Sequence, residues 1–415
     1  MRLLIVEPLA TGHRMALYVR HAIRAARRRG WDVRVLTTAS ARSHPAFTAL
    51  ADENGPDIAV GTLPEVEPPR GFGSLELAQI QWRRFNAFRD GFRALSPGWS
   101  PDVVHLSNLD YCDKVIALRG SPFGSCRFSG LLMSVGFHRQ VVGVRAPPTR
   151  SDRLYRWLFQ RMLAIEALVS VSVVDASLAD YLFDGGMDSG AKVALVPEPA
   201  SLSGSETRAA ARAALGIPDD LFVVLAYGSL ERRKGVPELL AAAAAARRRV
   251  CVLLVGIQDE STRTAVSAAS GGVRVVEVDC FVDDVAEYRA FRAADAVWLG
   301  YRDFFGSSGV LVQAALMGLP TVAARDGLIG WQTQRHGLGV PVDPSDKAAV
   351  AAAIDRLATD EGLRQKLATA ALGFAANHTG DHFGDALCDA ISAGATRSRL
   401  GRHGLTRDVD QVQRD

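Results

Sequence analysis

The sequence lacks paired cysteines, a strong net charge and any long apolar run. Its five cysteines, Cys112, Cys126, Cys251, Cys280 and Cys388, are odd in number, widely spaced and without a CxxC pair. That supports neither a disulfide framework nor a zinc site, and it suits a reducing cytoplasm. A formal net charge of +3 is small for 415 residues, so the overall balance recommends neither nucleic acid nor an acidic membrane as the principal partner. The basic clusters RAARRRG (from Arg24) and ARRR (from Ala246) sit on helical patterns and read as solvated helix faces. The first apolar run ends at Glu7 after four residues, too short for a signal-peptide core. No uninterrupted apolar run has the length of a bilayer span. The expectation is a cytoplasmic protein without a transmembrane segment, with peripheral membrane contact left open.

What is present is a globular composition, 48% hydrophobic and 22% charged, in a chain too long for one core, since single cores stop growing near ~250–300 residues. The stretch RLLIVEP is a continuous apolar run of strand length. A turn follows, then a helical pattern ending at Gly30, then the strand-like DVRVLTT. This is a strand–helix–strand unit with a fully buried, parallel-type first strand. The same grammar restarts at FVVLAYGSLERRKGVPELL and continues through VCVLLVG, GVRVVEV and PTVAARDG. The fold class is therefore α/β, with two Rossmann-like doubly wound parallel-sheet domains facing a cleft. The prolines and serine–glycine run of VALVPEPASLSGSETR place the boundary. The expected domains are 1–197 and 198–392, followed by a flexible tail, 393–415, in which apolar periodicity is lost.

Ligands of such sheets lie beyond the carboxyl ends of the strands, so the strand-to-helix turns are the candidate contacts. In YGSLERRKG, Arg232, Arg233 and Lys234 stand just before a helix start with Pro237 in its first turn. Cations there add to an already positive helix end, an arrangement that makes sense when an anion such as phosphate arrives. A second turn, Gly306, Ser307, Ser308 and Gly309, runs into the helical VLVQAALMG. Two phosphate-competent helix starts in one domain can hold a diphosphate between them.

These motifs, in order and spacing from Phe222 to His378, resemble the donor domain of the retaining family 4 glycosyltransferases of the GT-B fold. The first half is similar mainly in topology. The resemblance implies a nucleotide diphosphate sugar, UDP- or GDP-linked, as donor, and leaves the acceptor open. The lack of a membrane span and the modest basic charge favour a small polar acceptor, in natural-product biosynthesis. The resemblance implies no metal and no cofactor beyond the donor co-substrate. Lys234 would contact the diphosphate, with Arg233 or Arg232 sharing the role, and Ser229 stands where the family has an arginine. The family's acidic pair would fall on Phe305 and Gln313, so both carboxylates are missing. An amide oxygen at Gln313 can still accept from the ribose. Asp303 either reaches the sugar hydroxyls or turns the loop. The main-chain N–H groups from Phe304 to Gly309 remain for an anion.

His138 matches a family histidine near the donor sugar, against the plainer reading of a hydrogen-bonded structural residue. With Lys234, Arg233 and Asp303 it completes the expected catalytic set. The base would lie beside Phe281, between Cys280 and Val282, whereas the acidic pair at Asp283 and Asp284 reads as a helix start. Gly12 and His13 would contact acceptor or diphosphate, and Asn108, Asp110 and Tyr111 are acceptor contacts by position. The helical segment from Lys347 to Cys388 would cross back to the first domain, as in the family. Two rival readings stand beside this one. They are a non-catalytic nucleotide-sugar-binding accessory protein and a sugar-nucleotide epimerase of similar fold.

Overall fold

A computed structural model describes residues 1–11, 14–67, 74–95, 98–185, 191–269 and 272–407. The chain forms two compact units, each discontinuous in sequence. The first comprises Met1–His138, Pro148–Pro197 and the segment from Gly380, and the second Arg139–Pro147 and Glu198–Thr379.

The first unit is built on a seven-stranded sheet: β1 (Arg2–Val6), β2 (Asp32–Thr38), β3 (Ala59–Leu63), β4 (Val103–Leu106), β5 (Arg127–Leu132), β6 (Leu168–Val173) and β7 (Val193–Leu195), in the order β3-β2-β1-β4-β5-β6-β7. Every pairing is parallel. Helices cover both faces of the sheet, so apart from Arg2 the side chains of β1, β4 and β6 are buried on both sides. The order reverses at β1 and β4, so the turns after these two strands open at the switch point of the sheet.

The second unit repeats the plan with six strands: β8 (Phe222–Tyr227), β9 (Val250–Val255), β10 (Arg274–Val278), β11 (Ala296–Leu299), β12 (Thr321–Ala324) and β13 (Gly339–Val342). Their order is β10-β9-β8-β11-β12-β13, again all parallel. Its switch point lies between β8 and β11, so the turns after those strands are neighbours in space.

The C-terminal helix Gly380–Arg407 belongs to the first unit, where Phe383, Leu387, Cys388 and Ile391 join the core under β1 and the helix Arg20–Arg28. It approaches closely because glycines face its neighbours. A Cβ at Gly384 would sit 2.5 Å from the His21 carbonyl oxygen, and one at Gly394 would sit 2.2 Å from that of Val169. Arg28 and Arg29 pair with Asp381, Asp385 and Asp389 along its side. These pairs are partly exposed, so each is worth about 0–1 kcal/mol and the burial does most of the anchoring. The tail expected from position 393 is corrected here. The helix runs through that position with Ala395 buried, because small side chains there continue the face that Leu387 and Ile391 bury. Residues 408–415 lie outside the described residues.

Among the described residues, no helix is long and apolar enough to cross a membrane.

Candidate functional site

Two turns of the second unit meet beyond the carboxyl ends of β8 and β11. The first begins at Gly228, whose φ of 99° places it in the left-handed region that favours glycine. It ends at Gly235, where φ is 66° and a Cβ would lie 2.4 Å from the Gly300 carbonyl oxygen. That contact binds the turn tightly to the end of β11. The helix Val236–Ala245 then starts with Pro237 in its first turn.

Lys234 is buried at 6% exposure. Its ammonium donates to Tyr301 Oη at 2.5 Å and to the Tyr227 carbonyl oxygen at 3.3 Å, and lies 4.2 Å from the centre of the Tyr301 ring. Among the described residues it has no carboxylate partner. Burying a charge without a counter-charge is costly unless something else neutralises it. Tyr301 in turn lies 3.3 Å from Ser308 Oγ in the second turn. Arg233 bonds Glu231 at 3.2 Å and stacks 5.0 Å above the Phe304 ring, and its carbonyl oxygen accepts from Arg302 N–H at 2.7 Å. The structure thus joins Arg233, Lys234, Phe304 and Ser308 in one cluster. Arg232 is exposed, and its guanidinium has no partner among the described residues. Ser229 bonds Glu231 instead, at 3.1 Å.

The second turn leads into the helix Gly309–Leu316, whose N-terminal flank Ser308 makes no side-chain cap. Among the described residues, the N–H groups of Gly306, Ser307, Ser308 and Gly309 donate to nothing, so this helix start offers four free donors. The Phe305 carbonyl accepts from Leu328 N–H at 3.2 Å, which fixes the turn from behind. Asp303 is exposed and adopts φ 51°, a left-handed conformation that aspartate tolerates better than most residues. Phe281 is 85% exposed after β10, while Asp283 caps the helix Asp284–Ala293 by accepting from Ala286 N–H at 2.8 Å.

Gln313 is buried and donates through Nε2 to Glu287 Oε1 at 2.7 Å. The same carboxylate oxygen accepts from Tyr227 Oη at 2.6 Å. A carboxylate that accepts both bonds sets the amide orientation: Nε2 faces Glu287, so Oε1 is the atom left over. Burial and Glu287 together push the Tyr227 hydroxyl well above its ordinary pKa, so it stays a donor. The acid missing at 313 therefore has a carboxylate beside it, supplied from another helix. Sequence reasoning missed Glu287, Tyr227 and Tyr301; the two tyrosines carry a faint signal, each standing at the end of a strand before a glycine-rich turn.

In the first unit, His138 is fully buried. Its Nε2 lies 2.9 Å from Ser177 Oγ and 3.4 Å from Asp175 Oδ2. Ser177 Oγ is also 2.6 Å from Asp175 Oδ1, and the buried Nδ1 of His138 has no partner among the described residues. Asn108 accepts from Asp110 N–H at 3.0 Å. Asp110 accepts from Met133 and Ser134 N–H, and burial raises its pKa to about 6. Tyr111 is buried and donates to Glu7 Oε1 at 2.8 Å, while Arg14 and Arg84 lie 5.0 Å and 4.6 Å from its ring centre. Among the described residues, the Arg84 guanidinium has no hydrogen-bond acceptor. Gly12 and His13 lie outside the described residues.

Residues 222–360 match the family model of the group 1 glycosyl transferases. D-inositol 3-phosphate glycosyltransferase 1 of Catenulispora acidiphila is 36% identical over 184 residues, 40% of this chain and 43% of its own. The chain thus spans less than half the length of the curated relatives it matches. Among solved structures, sucrose-phosphate synthase from Thermosynechococcus elongatus aligns over 97% of this chain and all of its own, with a TM-score of 0.64 at 20% identity. HepE of Anabaena, in complex with UDP and glucose, aligns over 95% of this chain and all of its own, with a TM-score of 0.64 at 16% identity. Likeness at that identity speaks for the fold, and the family model speaks for the second unit. Residues 222–360 thus match the group 1 glycosyl transferases, and they sit in a chain of the GT-B fold.

Proposed function

We propose that this protein is a retaining glycosyltransferase that moves a sugar from a UDP- or GDP-linked donor to a small polar acceptor in natural-product biosynthesis. The observation that carries the reading is Lys234, a buried ammonium without a carboxylate partner among the described residues, set where two glycine-bearing turns meet. A diphosphate supplies the missing negative charge. The free N–H groups of residues 306–309 and the cations Arg232 and Arg233 suit its oxygens.

In the proposed reaction, the bond from the sugar to the diphosphate breaks through an oxocarbenium-like state. Negative charge then builds on the departing phosphate, where Lys234, Arg233 and the N–H groups of 306–309 stabilise it. The leaving phosphate oxygen takes the proton of the acceptor hydroxyl, so no side-chain base is assigned and no step is routed through a metal. Gln313, held by Glu287, presents Oε1 to the ribose hydroxyls. Asp303 is assigned to the sugar hydroxyls, and Nδ1 is the nitrogen through which His138 would act. Arg14 and Arg84 suit an anionic group on the acceptor, and a curated relative bears D-inositol 3-phosphate in its name.

Calorimetric titration with UDP, GDP and ADP tests the reading. Micromolar binding of one nucleotide class supports it; failure of all three to bind removes its foundation. A second reading, a non-catalytic nucleotide-sugar-binding protein, is favoured by Phe305, which puts a ring where the family has a carboxylate. Donor binding without turnover across an acceptor panel would select it.

A further inference from the structure

The small net charge of the whole chain conceals an uneven distribution. Three neighbouring helices of the first unit, Ser74–Arg93, Asp113–Arg119 and Asp152–Leu163, carry nine Lys or Arg against four Asp or Glu. The whole chain carries 48 against 45. Two of the four acids are engaged at the edges of this face, Asp90 with Arg89 and Asp152 with Thr149. A third, Asp113, binds Gln81 and Lys114.

The same helices expose large apolar side chains: Trp82 at 43%, Leu118 at 56%, Leu154 at 52% and Trp157 at 46%. Tyr155 is exposed beside them. Each of the three rings has a cation on its face. Arg119 lies 4.9 Å from the Trp82 ring centre, Lys114 5.1 Å from that of Tyr155, and Arg161 5.0 Å from that of Trp157. The contacts also make the patch continuous. Arg119 bridges the first helix to the second, and Arg161 Nε donates to the Ala117 carbonyl at 3.2 Å, bridging the third to the second. Leu118 stands between those two bridges.

We propose that this three-helix face docks on an anionic lipid bilayer surface. Tryptophan and tyrosine, with an apolar body and a polar edge, favour the headgroup boundary over either a dry core or open water. Long cationic side chains lying on the rings keep their charge at that depth, and the local excess of positive charge selects anionic headgroups. The half-exposed rings are spread over three helices and interleaved with charge, which suits shallow interfacial seating better than the desolvated core of a protein interface. The docking concerns where the protein works and does not depend on the donor or acceptor.

Co-sedimentation of the full chain with vesicles tests this, comparing phosphatidylcholine alone with a phosphatidylcholine–phosphatidylglycerol mixture. The expected result is partition to the mixed vesicles only, with a blue shift of tryptophan emission. Two double variants, Trp82→Ala with Trp157→Ala and Lys114→Glu with Arg119→Glu, are each expected to weaken partition about tenfold or more. Far-UV circular dichroism checks that they fold. The proposal is overturned by absence of partition, by equal partition to neutral vesicles, or by folded variants that bind as the parent does. It is also overturned if the parent self-associates without vesicles and the tryptophan variant does not, since a second copy would then be the occupant.

Discussion

Each unit buries one ionisable side chain just past the carboxyl end of the first strand of its sheet, and the two are treated differently. Glu7, after β1, accepts from Ser107 Oγ at 2.7 Å, Tyr111 Oη at 2.8 Å and Leu9 N–H at 2.9 Å. Lys234, after β8, has only a tyrosine hydroxyl and a carbonyl oxygen among the described residues. The first is a finished network whose atoms are committed to the fold. The second is an incomplete one, and incompleteness in a buried charge points to a ligand. The comparison teaches that burial alone does not mark a site; the count of unanswered charge does.

The contrast can be broken by exchanging readouts. Glu7→Ala strands the Tyr111 hydroxyl and the Leu9 N–H, while Ser107 Oγ keeps the Val6 carbonyl oxygen. It is expected to cost about 2 kcal/mol or more of stability in a denaturant melt, with nucleotide affinity unchanged in the protein that stays folded. Lys234→Ala should do the reverse, weakening nucleotide diphosphate binding by roughly 10–100-fold with little loss of stability. If Lys234→Ala instead costs stability and leaves nucleotide binding unchanged in the protein that stays folded, the two residues are alike and the contrast falls. Glu287→Gln sharpens the picture on a smaller scale. It frees the Gln313 amide to rotate and is expected to weaken binding of the nucleoside diphosphate about tenfold, while binding of inorganic pyrophosphate stays at the parent level. Equal losses for both ligands would show that Glu287 supports the turn and not the amide.

The smallest effect near neutrality concerns His105, buried on β4 with Nδ1 2.9 Å from Ser129 Oγ, where burial lowers its pKa to about 3. Below 6.5 the unfolded chain takes up a proton that the folded one refuses. Stability from this group is therefore present above 6.5 and lost as pH falls toward 3, by up to about 1.4 kcal/mol per pH unit. A His105→Gln variant should flatten that part of the pH–stability curve; an unchanged slope would assign the acid sensitivity elsewhere.

Much of the scaffold could be read from local pattern. Continuous apolar runs gave away β1, β8 and β9 because parallel strands are buried on both faces, and glycine-rich punctuation marked the two turns that carry Lys234 and residues 306–309. Gln313 was visible as a missing charge, but its partner was not. Glu287 reaches it from a helix 26 positions earlier, and only packing brings the two together. The same holds for His138, whose neighbours Asp175 and Ser177 come from the start of another helix. Nor does any local signal assign 139–147 to the second unit or the helix from Gly380 to the first, because membership is decided by which core the side chains fill.

That last assignment has a consequence for synthesis. The core under β1 is missing Phe383, Leu387, Cys388 and Ile391 until the helix from Gly380 emerges. A nascent chain that has reached Pro197 therefore carries a bare apolar face on the helix Arg20–Arg28. At ~5–20 residues per second the ribosome needs roughly 10–40 s more to deliver the helix that covers it. The segment Glu198–Thr379 of the second unit is made in that interval, so the first unit is opened before it and closed after it.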